Sequence, residues 1–295
     1  MVKITKENKI FKMSKENVPV AKVESGAEIE FETPDCFDGQ ITSAQQGIDA
    51  LDWEQINPAA GPVYVEGAEV GDVLKVHIKE INVADTGVMA AVPGAGLLGD
   101  LISTSEVKML RIEDGYVHFN SDIKVPVNPM IGVIGVAPAE VGIPCGTPDR
   151  HGGNMDNKKI AAGTTLYLPV FVKGALLAMG DLHAAMGDGE IMVTGVEVMG
   201  SVKVKVEVIK GKSIEHPILE TESHYYTIAS HKDLLEAVKI STIQMQKLVM
   251  DKLGLSFNDS GMLLSMAGDA EITQVVDPLL TARFGLSKEI LPNIF

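Results

Sequence analysis

The chain has 295 residues, and its 40 Asp and Glu against 25 Lys and Arg give a formal charge of −15. This acidity argues against a nucleic-acid partner, because a phosphate backbone is bound through clustered basic side chains, and equally against an anionic membrane surface. Apolar residues make up 45% of the chain and charged residues 22%, which excludes a composition typical of disordered proteins. The length suits about two domains or one large all-β domain.

Most of the chain up to residue 220 has the pattern of short β-strands separated by turns. Apolar and polar residues alternate in Val73–Val83, which predicts a half-buried strand. Further strands are predicted at Ile131–Val136, Thr165–Val172, Ala175–Met179, Ile191–Val198 and Val202–Ile209. Regular strand spacing with Gly and Pro between the strands predicts a mainly β fold, either a sandwich or a barrel.

The pattern changes near Ser230, where helical spacing replaces strand alternation. Ser230 and Asp233 resemble the cap and first turn of a helix, and Gly254 is a suitable stop. A second, shorter helix is predicted at Asn258–Met266, followed by a mixed segment. We therefore predict a β-sandwich region over residues 1–225 and a smaller helix-containing C-terminal part over residues 226–295, packed on the same body.

Cysteine content and hydropathy bear on the compartment. The two cysteines, Cys36 and Cys145, are too few for a disulfide framework or a cysteine-rich zinc site. Cys145 suits either a nucleophile or a small buried residue. The N-terminal residues contain no apolar run of signal-peptide length, and the uncharged stretch Val125–Ala139 is short and broken by three prolines. From these features we expect a reduced, cytoplasmic protein with no membrane span.

Polar residues that could support chemistry are concentrated in three segments. The first, residues 33–40, contains Asp35 and Asp38 beside Pro and Gly, a pattern more typical of a turn in which Asp caps backbone amides. The second, residues 148–156, combines Arg, His, Asn and Asp around Gly152-Gly153, where a ligand can approach the backbone closely. This second segment fits a solvated loop as well as a functional one.

The third segment, residues 180–190, directly follows the predicted strand that ends at Met179. If that strand continues, Asp181 and His183 project from the same face, because side chains alternate with a period of two. Carboxylate and neutral imidazole are ligands that suit Zn²⁺, so this pair is a candidate metal site. Glu190 lies nearby, and Asp188 fits a turn cap as well as a direct role.

These segments together resemble the acetamidase/formamidase family. The resemblance rests on residues 35–40, 138–140, 151–156 and 180–190 and runs from about residue 10 to the C-terminus. It implies a β-sandwich fold and hydrolysis of a short amide, acetamide or formamide, to a carboxylic acid and ammonia. It also implies a homodimer or homotetramer and a divalent metal, zinc before other ions, with calcium as a second or alternative ion.

Amide hydrolysis of this kind needs a polarised carbonyl, an activated water and a protonated leaving nitrogen. Under this hypothesis, the metal ligands are Asp35, Asp156, Asp181 and His183. Glu140 is the first choice for the general acid–base group, and Glu190 is the second choice or orients His183. Asn154 and the Gly152-Gly153 amides would stabilise the oxyanion.

Three alternatives stay open at this point. The same fold could act on a lactam or a longer aliphatic amide, since the sequence does not reveal the shape of the pocket. A non-catalytic β-sandwich module could hold Ca²⁺ through the many acids near loops. A thiol amidase using Cys145 would be inactivated by alkylation and would survive chelation, whereas a zinc enzyme would behave in the opposite way.

Overall fold

The computed structural model describes residues 1–48 and 51–295. Its strands, numbered in chain order, are β1 Val2–Ile4, β2 Lys9–Ile10, β3 Lys12–Met13, β4 Ala21–Val23, β5 Glu28–Thr33, β6 Ala59–Val65, β7 Val73–Val83, β8 Thr86–Ala91, β9 Glu106–Glu113, β10 Tyr116–His118, β11 Lys124–Pro126, β12 Met130–Gly135, β13 Ile143–Pro144, β14 Gly152–Asn154, β15 Thr165–Pro169, β16 Leu177–His183, β17 Glu197–Val198, β18 Gly200–Ile209, β19 Ile218–Glu220, β20 His224–His231, β21 Asp269–Gln274 and β22 Leu280–Ser287. The helices are α1 Leu234–Leu253 and α2 Phe257–Ala267, with short 3-10 turns at Trp53–Gln55 and Gly99–Leu101. Within the described residues, no helix is long and apolar enough to cross a membrane.

Two large sheets contain nearly all of these strands. One has nine strands in the order β1-β5-β18-β7-β15-β19-β20-β22-β21. The other follows the order β11-β10-β9-β8-β17-β16-β12-β14, with β6 also pairing with β16, and with β2 and β4 pairing with β6. Neither sheet closes on itself, so the predicted mainly β fold with a helix-containing C-terminal part is confirmed as two open sheets rather than a barrel.

The inner faces of the two sheets pack together and form the main core. Leu74, Val76 and Ile78 alternate along β7 and are fully buried on the nine-stranded side. Ile131 and Ile134 of β12 belong to the same apolar cluster and come from the other sheet. The alternation that predicted β7 therefore arises because one face of this strand is buried between the sheets.

A second apolar cluster covers the opposite face of the nine-stranded sheet. Tyr167 and Phe284 of the sheet pack there with Met245 and Val249 of α1 and Leu264 of α2. The strands that flank these helices in sequence, β20, β21 and β22, continue the nine-stranded sheet at one end. The C-terminal residues thus share both a sheet and a buried layer with the rest of the chain.

One predicted strand is wrong over most of its length. The apolar run Ile191–Val198 forms a strand only at β17, and residues 191–196 are irregular. Val193 has a φ of 72°, a left-handed conformation that a strand cannot contain. Gly195 lies so close to the ring of His183 that a Cβ would be 2.5 Å from Nδ1. Packing against the histidine, rather than strand pairing, sets the path of this segment.

The first helix begins later than predicted. Ser230 belongs to β20, where its Oγ lies 2.9 Å from Oγ1 of Thr281. Asp233 caps α1 instead, because its side chain accepts a hydrogen bond from the backbone N–H of Glu236. The predicted stop is confirmed, since Gly254 ends α1 in the left-handed conformation. The second predicted helix is confirmed as α2.

Candidate active site

The end of β16 carries the centre of a buried acidic cluster. Asp181 and His183 are both almost completely buried, and Nε2 of His183 lies 3.5 Å from Oδ1 of Asp181. The two side chains therefore lie together, as their spacing in the sequence predicts. Both project inside the protein at the end of a strand in the interior of its sheet.

Two further carboxylates approach the same imidazole nitrogen. Glu197 stands opposite His183 in the pairing of β17 with β16, and its Oε1 lies 3.1 Å from Nε2. Oδ1 of Asp156, in the segment after β14, lies 3.8 Å from Nε2. Sequence reasoning missed Glu197, although a single acid within the apolar run Ile191–Val198 was a signal that could have marked it.

Glu190 and Asp277 complete the cluster from two other segments. Donor atoms of Asp156, His183 and Glu190 all lie within 4.8 Å of one another. Asp277 sits between β21 and β22, and its carboxyl atom Oδ2 is buried without a hydrogen-bond partner. No local pattern in the sequence marks Asp277, because only the folding of β21 and β22 brings it here.

Three of these acids have strained backbones. The φ angles of Asp156, Asp181 and Glu190 are 38°, 56° and 49°, in the left-handed region that L-residues seldom adopt. Each such residue costs roughly 1–3 kcal/mol, which the surrounding structure must offset. Strain of this kind collects at functional sites, because the backbone is held where it aims a side chain.

The cluster holds excess negative charge with little compensation. Among the residues that the structure describes, none of Asp156, Asp181, Glu190 and Glu197 lies within ion-pair distance of a lysine or arginine. Oxygen atoms of all four are buried without a hydrogen-bond partner, and so are both ring nitrogens of His183. Buried charge of one sign is costly unless the acids are protonated or a cation neutralises them.

The pKa shifts of these groups reflect the same excess of buried negative charge. Burial raises the pKa of Asp156 well above its usual value, and the neighbouring Glu190 and Asp181 raise it further. Burial also raises the pKa of Glu190, and it raises that of Glu197 to about 7, although His183 partly offsets both. Burial alone would lower the pKa of His183, but Glu197 and Asp181 raise it well above its usual value.

The donor set fits a divalent metal ion. One imidazole nitrogen and several carboxylate oxygens converge without partners of their own, and these are ligand types that zinc accepts. Gly132 leaves the space between them open, because a Cβ there would lie 2.5 Å from the carboxylate oxygens of both Asp156 and Asp181. The cluster therefore has the donors and the room that an ion needs.

A cavity of about 830 Å³ leads to this cluster. The acidic and amide residues that line it are Glu54, Asn57, Asn154, Asp181, Glu190, Glu197 and Asp277. Apolar lining residues include Phe11, Phe37, Ile48, Trp53, Ile56, Ala90, Val92, Val193 and Pro278. Such a combination of apolar walls and a few convergent polar groups is typical of a site for a small organic ligand.

Comparison with known proteins shows the family to which this chain belongs. A family model described as the Acetamidase/Formamidase family matches residues 4–143 and 139–278. The chain belongs to this family. It is 47% identical to an acetamidase from Bacillus halodurans whose crystal structure superposes with a TM-score of 0.98, covering 99% of each chain. A predicted acetamidase/formamidase from Thermoanaerobacter tengcongensis is 51% identical, with a TM-score of 0.97 over 99% of this chain and 97% of that one.

A curated relative is more distant. The formamidase of Methylophilus methylotrophus is 28% identical over 250 residues, which are 65% of this chain and 61% of that protein. The chain thus spans less than two thirds of the length of this relative.

Some of the residues singled out within the family resemblance lie away from the imidazole. Glu140 is exposed in a bend after β12 and does not line the cavity. Asp35 is buried, and its Oδ1 accepts hydrogen bonds from the backbone N–H groups of Phe37 and Gly39, as in the turn considered from the sequence. Burial raises the pKa of Asp35, and these two hydrogen bonds partly offset the rise.

The cysteines and Asp188 also have defined places. Cys145 is fully buried, its Sγ donates a hydrogen bond to the carbonyl of Ile10, and burial raises its pKa to about 12. Its thiol therefore stays protonated at neutral pH, which disfavours a thiolate nucleophile. Cys36 lines the cavity instead and lies near Asp181. Asp188 forms an ion pair with the guanidinium of Arg283 and does not reach the cluster.

Proposed function

We propose that this protein hydrolyses short carboxylic amides to the corresponding acid and ammonia. Its family membership supports this proposal, since relatives carry the names acetamidase and formamidase. The observation that carries it is the buried set of unpartnered carboxylates around Nε2 of His183 at the base of the cavity. Such a set suits a reaction that needs both a Lewis acid and a group that accepts a proton.

Four residues would hold the metal ion, and we propose zinc. They are Asp156, Asp181, His183 and Glu197, whose donor atoms face one another around Nε2. A bound ion supplies polarisation of the amide carbonyl and acidification of a water molecule. The predominance of oxygen donors also suits calcium as a second or alternative ion. Asp35 stays a weaker ligand candidate, because backbone amides already occupy one of its oxygens.

The remaining polar groups would carry the proton and bind the substrate. Glu190 lies within the cluster and lines the cavity, so it can accept a proton from the attacking water and pass it to the leaving nitrogen. The water oxygen bonds to the carbonyl carbon, the carbon–nitrogen bond breaks, and the protonated nitrogen leaves as ammonia. Asn154 lines the cavity beside these groups and can donate its amide N–H to the developing oxyanion.

The cavity also supports a second candidate substrate class. Formamide has no apolar carbon to bury and acetamide has one methyl group, whereas Phe37, Trp53 and Val193 contribute to a wide apolar wall. Longer aliphatic amides or lactams would use this wall, and burying each added methylene fully contributes about 0.8 kcal/mol to binding.

Assembly as a homodimer or homotetramer and a cytoplasmic location stay predictions.

The test combines metal analysis with ammonia release or ring opening. Purified protein is assayed with formamide, acetamide, a longer linear amide and a lactam, and its zinc and calcium contents are measured. We expect hydrolysis of at least one amide and loss of activity on chelation. Bound metal without hydrolysis of any amide would favour the non-catalytic metal-binding module.

Two substitutions assign the roles. His183→Ala should remove both metal and hydrolysis while circular dichroism shows a retained fold. Glu190→Gln should keep the metal and lower turnover by about 10²–10⁴-fold, the usual contribution of a positioned proton carrier. Glu140→Gln is the matched control, because Glu140 is exposed outside the cavity. If Glu140→Gln loses turnover and Glu190→Gln does not, the two glutamates have the roles predicted from the sequence.

A further inference from the structure

A fully buried arginine lies next to the candidate site without lining its cavity. Arg283 of β22 is only 1% exposed, the largest side chain among those that are fully buried. Its guanidinium donates from Nη1 to Oδ1 of Asn157 at 2.7 Å and from Nη2 to Oδ2 of Asp188 at 2.7 Å. Nε donates to Oε2 of Glu271 at 2.5 Å. The planar guanidinium therefore binds three different segments at once.

Two of these segments carry residues of the acidic cluster. Asn157 directly follows Asp156, and Asp188 lies two residues before Glu190. The chain between Asn157 and Asp188 includes β15 and β16, so no local structure fixes one segment against the other. Arg283 bridges them through charge-assisted hydrogen bonds, which are stronger than those between neutral groups.

The neighbouring strand β21 contacts the same two segments. Oγ1 of Thr273 donates to the carbonyl of Met155 at 2.8 Å, and the N–H of Gly189 donates to the carbonyl of Thr273 at 2.7 Å. The hairpin of β21 and β22 thus contacts the residue before Asp156 and the residue before Glu190. The same hairpin therefore contacts the segments of both acids.

We propose that Arg283 is a positioning residue that fixes Asp156 relative to Glu190 and so sets both the metal affinity and the turnover of the site. This inference rests on the proposed function, in which Asp156 is a metal ligand and Glu190 carries the proton. Groups that orient metal ligands from outside the coordination sphere typically change affinity or activity by 10–100-fold when they are removed.

The geometry of the guanidinium group contributes to this positioning as well as its charge. A lysine ammonium has three donors on one nitrogen and cannot reproduce the fork that reaches three partners in separate directions. We therefore expect Arg283→Lys to weaken zinc binding, measured by competition with a chromophoric chelator, by about 10–100-fold and to lower kcat as well. Arg111→Lys is the matched control, because the ion pair of Arg111 with Glu113 is exposed to solvent.

The hydrogen bonds of Arg283 to Asn157 and to Asp188 can be removed separately by substitution. Asn157→Ala removes the partner next to Asp156 and should weaken zinc binding more than it lowers kcat at saturating zinc. Asp188→Asn loosens the segment of Glu190 and should lower kcat with a smaller change in the zinc dissociation constant. Because Asp188 also pairs with Lys158 at 3.0 Å, Lys158→Gln controls for that second contact.

A purely structural role makes a different prediction. Met245→Ala, placed in the second apolar cluster away from the acids, lowers stability by cavity formation and should leave the zinc dissociation constant unchanged. If Arg283→Lys lowers the melting temperature but keeps native zinc affinity and kcat, the inference is wrong while the proposed function stands. If the native protein binds no metal and hydrolyses no amide, the proposed function itself fails.

Discussion

Two glycines leave the room that the side chains of the cluster occupy. Gly132 faces the carboxylates of Asp156 and Asp181, and Gly195 faces the ring of His183. A Cβ would lie 2.5 Å from an oxygen of each carboxylate at Gly132 and 2.5 Å from Nδ1 of the ring at Gly195, closer than van der Waals contact allows. The lack of a side chain at these two glycines therefore leaves the space that the carboxylates and the imidazole occupy.

Gly132→Ala tests this arrangement. The added methyl group would push the two carboxylates apart, so we expect zinc affinity and amide hydrolysis to fall by about 10–100-fold. Overpacking would also lower the free energy of unfolding by about 1–3 kcal/mol. Isothermal titration with zinc and urea unfolding measure the two effects.

Gly261→Ala provides the matched control for that substitution. Gly261 lies in α2, where the nearest atom to an added Cβ is Nε2 of Gln246 at 3.4 Å. Alanine is favoured over glycine in a helix by up to about 1 kcal/mol, so this variant should be at least as stable as the native protein. Equal zinc affinity in both variants would contradict the role given to Gly132.

The strands differ in how well their sequences predict them. β7 and β18 alternate between buried and wetter residues, and β18 begins two residues before its predicted start. Glu207 of β18 forms a cross-strand ion pair with Lys75 of β7 at 2.9 Å, and it pairs with Lys205 of its own strand at 2.6 Å. Residues 191–196 are mostly apolar but form no strand, because Val193 and Thr194 line the cavity and Gly195 packs against the ring of His183.

The ion pairs of Glu207 predict a pH dependence of stability. Hydrogen bonds from Lys205 and Lys75 lower the pKa of Glu207 to about 2 from 4.5. A lowered folded-state pKa stabilises the protein above pH 4.5, and this contribution is lost as the pH falls towards 2. Because the side chain is 34% exposed, solvent screening reduces the contribution to less than about 1 kcal/mol.

Glu207→Gln should therefore lower the free energy of unfolding at pH 7 by less than about 1 kcal/mol. The difference from the native protein should shrink between pH 4.5 and pH 3, as measured by urea unfolding at each pH. Glu140→Gln again serves as the control, since Glu140 is exposed and forms no ion pair among the described residues. A difference that stays constant down to pH 3 would contradict this account.

The nine-stranded sheet connects the two parts of the molecule, because an apolar cluster packs on each of its faces. Its inner face packs against the other sheet, and its outer face packs against α1 and α2. The C-terminal hairpin belongs to this sheet, and its Thr273 and Arg283 hydrogen-bond to Met155 and Asn157, the residues on either side of Asp156. The C-terminal residues are therefore structurally part of the candidate site.

This arrangement predicts that the chain unfolds in one cooperative transition. Met245→Ala should lower the free energy of unfolding by about 2–5 kcal/mol, because the side chain is fully buried and leaves a cavity. The helical signal at 222 nm and the near-ultraviolet signal of the aromatic side chains should shift together. Two separated transitions, with only one displaced by the substitution, would show that the C-terminal part unfolds independently.

The sequence by itself determined the features that depend on near neighbours. Alternation located β7, helical spacing with Gly254 located the end of α1, and the two-residue spacing of Asp181 and His183 placed them side by side. These features follow from the periods of strands and helices, which any window of a few residues contains. The four polar segments also carried the family resemblance, which the family comparison confirms.

Only the tertiary structure decided which distant residues lie in and around the acidic cluster. Glu197 arrives by strand pairing, Asp277 by a hairpin nearly a hundred residues further along, and Arg283 by the packing of that hairpin. A local pattern can mark a residue such as Glu197, but it cannot show which residues from other segments it contacts. The net charge of −15 could be counted from the sequence, but the placement of several of those charges in one buried cluster is a property of the fold.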